Sequence, residues 1–197
     1  GQVSGYPLDS LGPFPEQAGL YFDGGGASPV HRMDESGEPP AFLEYVTGAL
    51  PYQVTRAPRV LVIGSGGGTE VLSALRHGAE RVTAVELDPG VQRAIEALGA
   101  FAGDLHERPD VEFVLAEGRG YLEAHPDREF DVIQIALLDA YAASAAGVHA
   151  LNESYLYTVE ALALYLRRLS GDGVLSITRW LKTPPRDAIK RGQVVAA

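Results

Sequence analysis

Residues 59–70 read RVLVIGSGGGTE, an apolar run that gives way to four glycines within five positions and then to Thr69 and Glu70. A short continuous apolar run closed by glycine has the pattern of a strand buried on both faces. Its exit is Gly64, Ser65, Gly66, Gly67 and Gly68. Without side chains these positions accept positive backbone dihedrals and let another group approach the main-chain amides. A tight strand-to-helix turn that meets no ligand is the alternative reading.

Outward from this stretch, strands alternate with helices. GTEVLSALRHG reads as a helix ending at Gly78, RVTAVEL as a second strand closed by DPG, and VQRAIEALGAFA as a helix. VEFVLAEG is a third strand, RGYLEAHP a short helix and FDVIQIALLD a fourth strand. After the small-residue loop AYAASAAGVHAL, the segment NESYLYTVEALALYLRRLS places Leu156, Val159, Ala163, Leu166 and Leu169 on one face of a long helix capped by Asn152 or Ser154. GDG then turns the chain into a last strand, VLSITRW. Five strands alternating with helices predict an α/β fold, a Rossmann-like doubly wound and mostly parallel sheet with right-handed crossovers. The Gly- and Pro-rich residues 1–40 are expected to form an irregular or hairpin-like arm, and PAFLEYVTGALPY, with Phe42, Val46 and Ala49 at helical spacing, a short helix leading into the main domain over 41–197.

Composition narrows the chemistry. A chain of 197 residues can bury roughly 70% of its unfolded surface, enough for one substantial core. The net charge of -10 argues against nucleic acid as a partner and favours a cationic substrate. There is no cysteine, hence no disulfide or thiolate site, and His31, His77, His106, His125 and His149 form no two-histidine ligand pattern, so no metal is expected. No apolar run approaches the roughly 20 residues of a membrane span. The chain starts at Gly1 and ends in RGQVVAA, which is expected of a piece of a longer protein.

The glycine spacing discriminates among nucleotide sites. A dinucleotide fingerprint places its third glycine where Thr69 stands, which disfavours a nicotinamide oxidoreductase. The spacing present is GxGxG over Gly64, Gly66 and Gly68, which resembles the nucleoside-binding loop of class I S-adenosylmethionine-dependent methyltransferases. Glu86, ending the second strand, can accept both hydroxyl hydrogens of a ribose, or else be a solvated strand-end acid. Asp88 is expected to serve the turn. Glu117 and Gly118, ending the third strand, can take an adenine amino group and a ring nitrogen through carboxylate and amide.

The segments VLVIGSGGGTEVLSALRHGAERVTAVELDP, VEFVLAEGRGYL, FDVIQIALLDAYAASAAGVHALNESYLYTVEAL and GDGVLSITRW resemble the spermidine synthase-like branch of the methyltransferase fold, over roughly residues 41–182. The likeness is to bacterial proteins in which such a domain is joined to membrane-spanning segments. It implies a class I methyltransferase type of fold, binding of S-adenosylmethionine or decarboxylated S-adenosylmethionine, a homodimer, and a cytoplasmic location, either free or as the cytoplasmic domain of a membrane protein. Two departures stand out. Aminopropyltransferases of this type carry an acidic pair around a DSxD pattern on the fourth strand, and here Ala136 replaces the first acid, the base, while Asp139 keeps the second. Their GGGDGG loop acid is also missing, with Glu70 the nearest substitute. The implied function is transfer of a methyl or aminopropyl group to a small-molecule acceptor, a cationic amine among the candidates. In that function Asp139 orients or deprotonates the acceptor and Tyr141 walls its pocket. A non-catalytic nucleoside-sensing domain is the alternative that the missing base raises, with AYAASAAGVHA as a gate.

Overall fold

A computed structural model describes residues 14–22, 26–136 and 155–178. Asp139, Tyr141, His149, Asn152, Ser154, Arg179 and Trp180 lie outside the described residues.

The apolar run 59–63 forms β3 (Arg59–Ile63), whose last four residues are buried. Beside it lie β4 (Arg81–Glu86), β5 (Val111–Leu115), β6 (Phe130–Ala136) and β7 (Leu169–Thr178), in the spatial order β5-β4-β3-β6-β7 and parallel at every pairing. The expected doubly wound parallel sheet is therefore the fold. Strand alternation divides its core in two. Val60, Val62, Val82, Ala84 and Val132 face α1 (Thr69–Arg76) and residues 41–53. Leu61, Ile63, Val85, Ile133 and Ile135 face α3 (Gly118–Ala124) and α4 (Val159–Arg168). The chain order reverses between β3 and β6, and that crevice at the carboxyl ends is where such sheets take ligands.

Local sequence accounts for the helix starts. Asp88 caps α2 (Pro89–Leu98), its Oδ1 accepting from Gly90 N at 2.7 Å, with Pro89 in the first turn where a missing N–H is harmless. Thr158 caps α4 by accepting from Ala161 N at 3.2 Å. The arm contains an antiparallel hairpin, β1 (Gln17–Phe22) with β2 (Gly26–His31). Its Ala18, Leu20 and Val30 pack on Ile95 and Leu98 of α2 and on Phe101 and Ala102.

Three expectations about local structure change. Residues 41–53 form two 3-10 segments, Ala41–Tyr45 and Thr47–Gln53, instead of one helix: the chain is extended at Val46 between them, and Pro51 has no N–H to give the carbonyl of residue 47. Phe42, Val46 and Ala49 are buried all the same. The helix after the loop is the ten-residue α4, and its buried face is Ala161, Leu162, Leu164 and Tyr165, while Val159 and Leu166 are 46% and 61% exposed. The fully buried Tyr165, whose hydroxyl donates to Leu156 O at 3.0 Å, rotates the helix away from the face that leucine spacing predicted. Finally, Gly171 to Gly173 lie inside β7 as a register irregularity opposite Phe130 and Val132, not before it.

The hairpin sets a sharp steric limit on the glycine loop. A Cβ at Gly67 would stand 2.1 Å from Pro29 O and 2.6 Å from Pro29 C, both backbone atoms. Gly67→Ala should therefore lift β2 and lower stability by about 1–3 kcal/mol in urea unfolding. Gly171→Ala, which meets nothing within 4 Å, is the control and should stay within about 0.5 kcal/mol of the parent.

Candidate functional site

The loop residues Gly64, Gly66 and Gly68 have φ values of 75°, 48° and 86°, so the GxGxG spacing marks the positions where the chain is left-handed. Gly67 is glycine for a different reason: β2 presses its backbone onto it. Ser28 Oγ accepts from Gly67 N at 2.8 Å, and the Thr69 hydroxyl donates to Pro29 O at 3.5 Å. Gln17 Nε2 donates to Nδ1 of the buried His31 at 3.1 Å, which leaves His31 Nε2–H to donate to Thr69 Oγ1 at 3.1 Å. Burial lowers the His31 pKa to about 4, so the ring is neutral at physiological pH.

The expectation that the loop amides stand open toward a ligand changes accordingly. Gly64 N and Ser65 N donate to Val85 O, Gly68 N donates to Ser65 O, and Gly66 N donates to Glu86 Oε2 at 2.9 Å. With Gly67 N on Ser28, each amide from residue 64 to 68 is paired within the chain. What the loop offers is close approach and an acid locked to it.

Glu86, at the tip of β4, accepts from Gly66 N, from Leu87 N at 2.8 Å and from Asp88 N at 3.0 Å. A carboxylate has about four lone-pair sites, so one ribose hydroxyl can be taken directly and a second by releasing the Gly66 amide. Ala116 N donates to Glu86 O at 2.9 Å, which sets Glu117 and Gly118 beside that acid. Glu117 caps α3, accepting from Arg119 N at 3.0 Å and Gly120 N at 2.8 Å. Gly118 lets α3 close on β3, since a Cβ there would be 2.5 Å from Ile63 Cγ2. Leu87 and Leu115, 40% and 52% exposed at the same strand ends, add apolar surface that a purine can cover. The structure thus brings Gly64 to Gly68, Glu86, Glu117 and Gly118 to one edge of the sheet. Asp139 and Tyr141 fall outside the described residues.

A second cluster was not singled out from the sequence. Gln134, wholly buried in β6, accepts from the Tyr52 hydroxyl at 2.6 Å and donates through Nε2 to Gly48 O at 3.1 Å and Glu70 Oε2 at 2.5 Å. Its signal was the polar residue at the centre of the otherwise apolar run VIQIA. Glu70, expected to replace the missing loop acid, instead turns toward β6, and burial pushes its pKa up to about 7. The Tyr52 phenol is raised well above its ordinary value by burial and by the charge of Glu70.

Elsewhere, a cleft of about 280 Å³ lined by Arg59, Arg81, Thr83, Arg128 and Phe130 lies at the opposite, amino-terminal ends of the strands, away from these residues. Among the described residues no group of three or more His, Asp or Glu side chains is arranged to hold a metal ion, and no helix is long and apolar enough to cross a membrane.

Glu70 and His31 tilt stability with pH in opposite senses. The folded state holds the Glu70 proton more tightly than the unfolded chain does, so this contribution is full below about pH 4.5 and is lost as pH rises through about 7. The neutral His31 contributes above about pH 6.5, and that contribution is lost as pH falls toward 4. Subtracting the urea-unfolding profile of Glu70→Gln from that of the parent isolates the first slope. The parent should lose about 1–3 kcal/mol relative to the variant between pH 5 and pH 8.

No protein-family model matches the chain. A polyamine aminopropyltransferase of Korarchaeum cryptofilum is 30% identical over 121 residues, which is 61% of this chain and 34% of that protein. A spermidine synthase solved in complex with the transition-state analogue AdoDATO is 26% identical, with a TM-score of 0.54, over 79% of this chain and 51% of that one. The spermidine synthase of Thermotoga maritima, 24% identical over 79% of this chain and 50% of its own, shares the fold with a TM-score of 0.53. The match to the Korarchaeum relative spans about a third of that protein's length. Sequence and sheet order agree: the chain is similar to polyamine aminopropyltransferases and spermidine synthases, and its fold is the Rossmann-like fold of class I S-adenosylmethionine-dependent methyltransferases.

Proposed function

We propose that this domain binds an adenosyl sulfonium, S-adenosylmethionine or its decarboxylated form, and passes a methyl or aminopropyl group from it to a small-molecule amine. The observation that carries this reading is the hydrogen bond from Gly66 N to Glu86 Oε2, which locks a ribose-accepting carboxylate to the glycine loop at the ligand-binding edge of the sheet. The relatives named above are aminopropyltransferases and spermidine synthases, and their names supply the donor and acceptor classes. The donor brings a carbon already activated by its positive sulfur. The protein's part is to align a nucleophile behind that carbon in surroundings that tolerate cations.

Each residue has a share in that task. Glu86 holds the ribose, Glu117 and Gly118 meet the adenine edge, and Leu87 and Leu115 flank its faces. Gly64, Ser65, Gly66, Gly67 and Gly68 keep the chain close beneath the sulfur-bearing tail. Asp139 orients the acceptor and Tyr141 walls its pocket. The net charge of -10 draws both a sulfonium and an ammonium toward the domain. The domain acts in the cytoplasm, as a homodimer, without nucleic acid.

Titration calorimetry with S-adenosylmethionine, its decarboxylated form and NAD should give binding for at least one of the first two and none for NAD. Glu86→Ala should weaken the adenosyl ligand by about 1–3 kcal/mol through loss of hydrogen bonds to a charged acceptor. Mass spectrometry of reactions with donor labelled in the transferred group, offered diamines and polyamines, should reveal a labelled amine. Tight donor binding with no labelled product from any acceptor would return the domain to a nucleoside-sensing role.

A further inference from the structure

Gly66 meets the sheet on one side and the arm on the other. Its amide donates to Glu86 Oε2 at 2.9 Å, and a Cβ on it would stand 2.7 Å from Ser28 Oγ in β2. The next amide, Gly67 N, donates to that same Ser28 Oγ at 2.8 Å. Consecutive amides of the loop thus hold the strand-tip carboxylate and a hydroxyl from the hairpin, so the two oxygens flank a single residue. Ser28 is half-buried, and among the described residues its hydroxyl hydrogen has no acceptor.

Neighbouring contacts keep Ser28 in this place. Leu20, its partner across the hairpin, and Val30 pack with Ile95 of α2, while His31 donates to Thr69 at the start of α1. The backbone of Pro29 rests directly on Gly67. The hydroxyl is therefore presented to the loop by a segment anchored at several points.

Glu86 by itself leaves a ribose half satisfied. A ribose hydroxyl that gives its hydrogen to a carboxylate keeps two lone pairs, and a carboxylate can only accept. A donor is needed beside it. The amides of residues 64–68 are spent on Val85, Ser65, Glu86 and Ser28, and the Ser65 side chain is enclosed, the residue being 5% exposed. We propose that Ser28 is a ligand-binding residue supplied by the arm: its hydroxyl donates to a ribose hydroxyl oxygen of an adenosyl ligand while Glu86 accepts from the same ribose. The inference rests on the nucleoside site of the transferase reading above. One ligand then bridges hairpin and sheet edge. By linkage, the affinity it gains from a docked arm is returned as tighter docking of the arm.

The test uses the full chain with 5′-methylthioadenosine, its 2′-deoxy and 3′-deoxy analogues, and the two adenosyl sulfonium donors, each followed by titration calorimetry. Ser28→Ala should weaken 5′-methylthioadenosine about 3–10-fold through loss of one hydrogen bond. With the deoxy analogue that lacks the contacted hydroxyl, the same substitution should cost no further affinity, the non-additivity expected of a direct contact. A Ser28 that serves only to satisfy Gly67 N would weaken all of these ligands equally. Hydrogen exchange gives a second readout without turnover. Saturating ligand should slow exchange of the β1 and β2 amides in the parent, and should slow it about 3–10-fold less in Ser28→Ala. Unchanged affinity in Ser28→Ala, or an equal loss for the ribose and both deoxy ligands, overturns the role of Ser28. A parent protein that binds none of these adenosyl compounds overturns the nucleoside reading instead.

Discussion

The contact on which the rest of the structure depends is backbone against backbone: the carbonyl of Pro29 in β2 laid on Gly67 in the loop after β3. No side chain fits between them, so the loop must be glycine there, and the hairpin must lie across the carboxyl ends of the sheet. Ser28, His31 and Gln17 then close a hydrogen-bonded line from the hairpin to Thr69 at the start of α1. The arm is thus tied to the edge of the sheet where ligands enter this fold, and it has a buried apolar contact of its own with α2.

With the loop held from one side by the hairpin, it is held from the other by Glu86. The two contacts differ in kind. The hairpin contact is steric and tolerates no added atom, whereas the Glu86 contact is a charge-assisted hydrogen bond that a ribose hydroxyl can replace at small net cost. A second acid is held in the same way at Glu117, which caps α3 with both carboxylate oxygens. Acids that satisfy backbone amides in this way need no cationic partner.

The second polar centre, Tyr52, Gln134 and Glu70, is set inside an otherwise apolar layer. A polar residue in the middle of a buried strand is costly unless each donor and acceptor is matched, and Gln134 is matched at both ends. Its partners come from residues 48, 52 and 70, three separate elements. The network therefore fixes the 3-10 segment and α1 against β6 in one arrangement.

Much of this was legible in the chain itself. The buried strand 59–63, the parallel α/β order, the left-handed glycines at 64, 66 and 68, and the strand-tip acids Glu86 and Glu117 follow from short-range rules: apolar runs, turn residues, and spacing along one segment. Other features were illegible because they depend on atoms far apart in sequence. Leucine spacing in α4 gave the right period and the wrong face, since Tyr165 and the sheet it covers set the rotation. The reason for Gly67, the turning of Glu70 toward Gln134, and the internal pairing of the loop amides each needed a partner far along the chain or a strand across the sheet. Local sequence thus determined which segments are strands and helices and which residues stand at their tips, because those are matters of backbone preference and periodic burial. Only the tertiary structure decided which group each tip residue touches, because a hydrogen bond or steric limit between distant segments exists only once the sheet has brought them together.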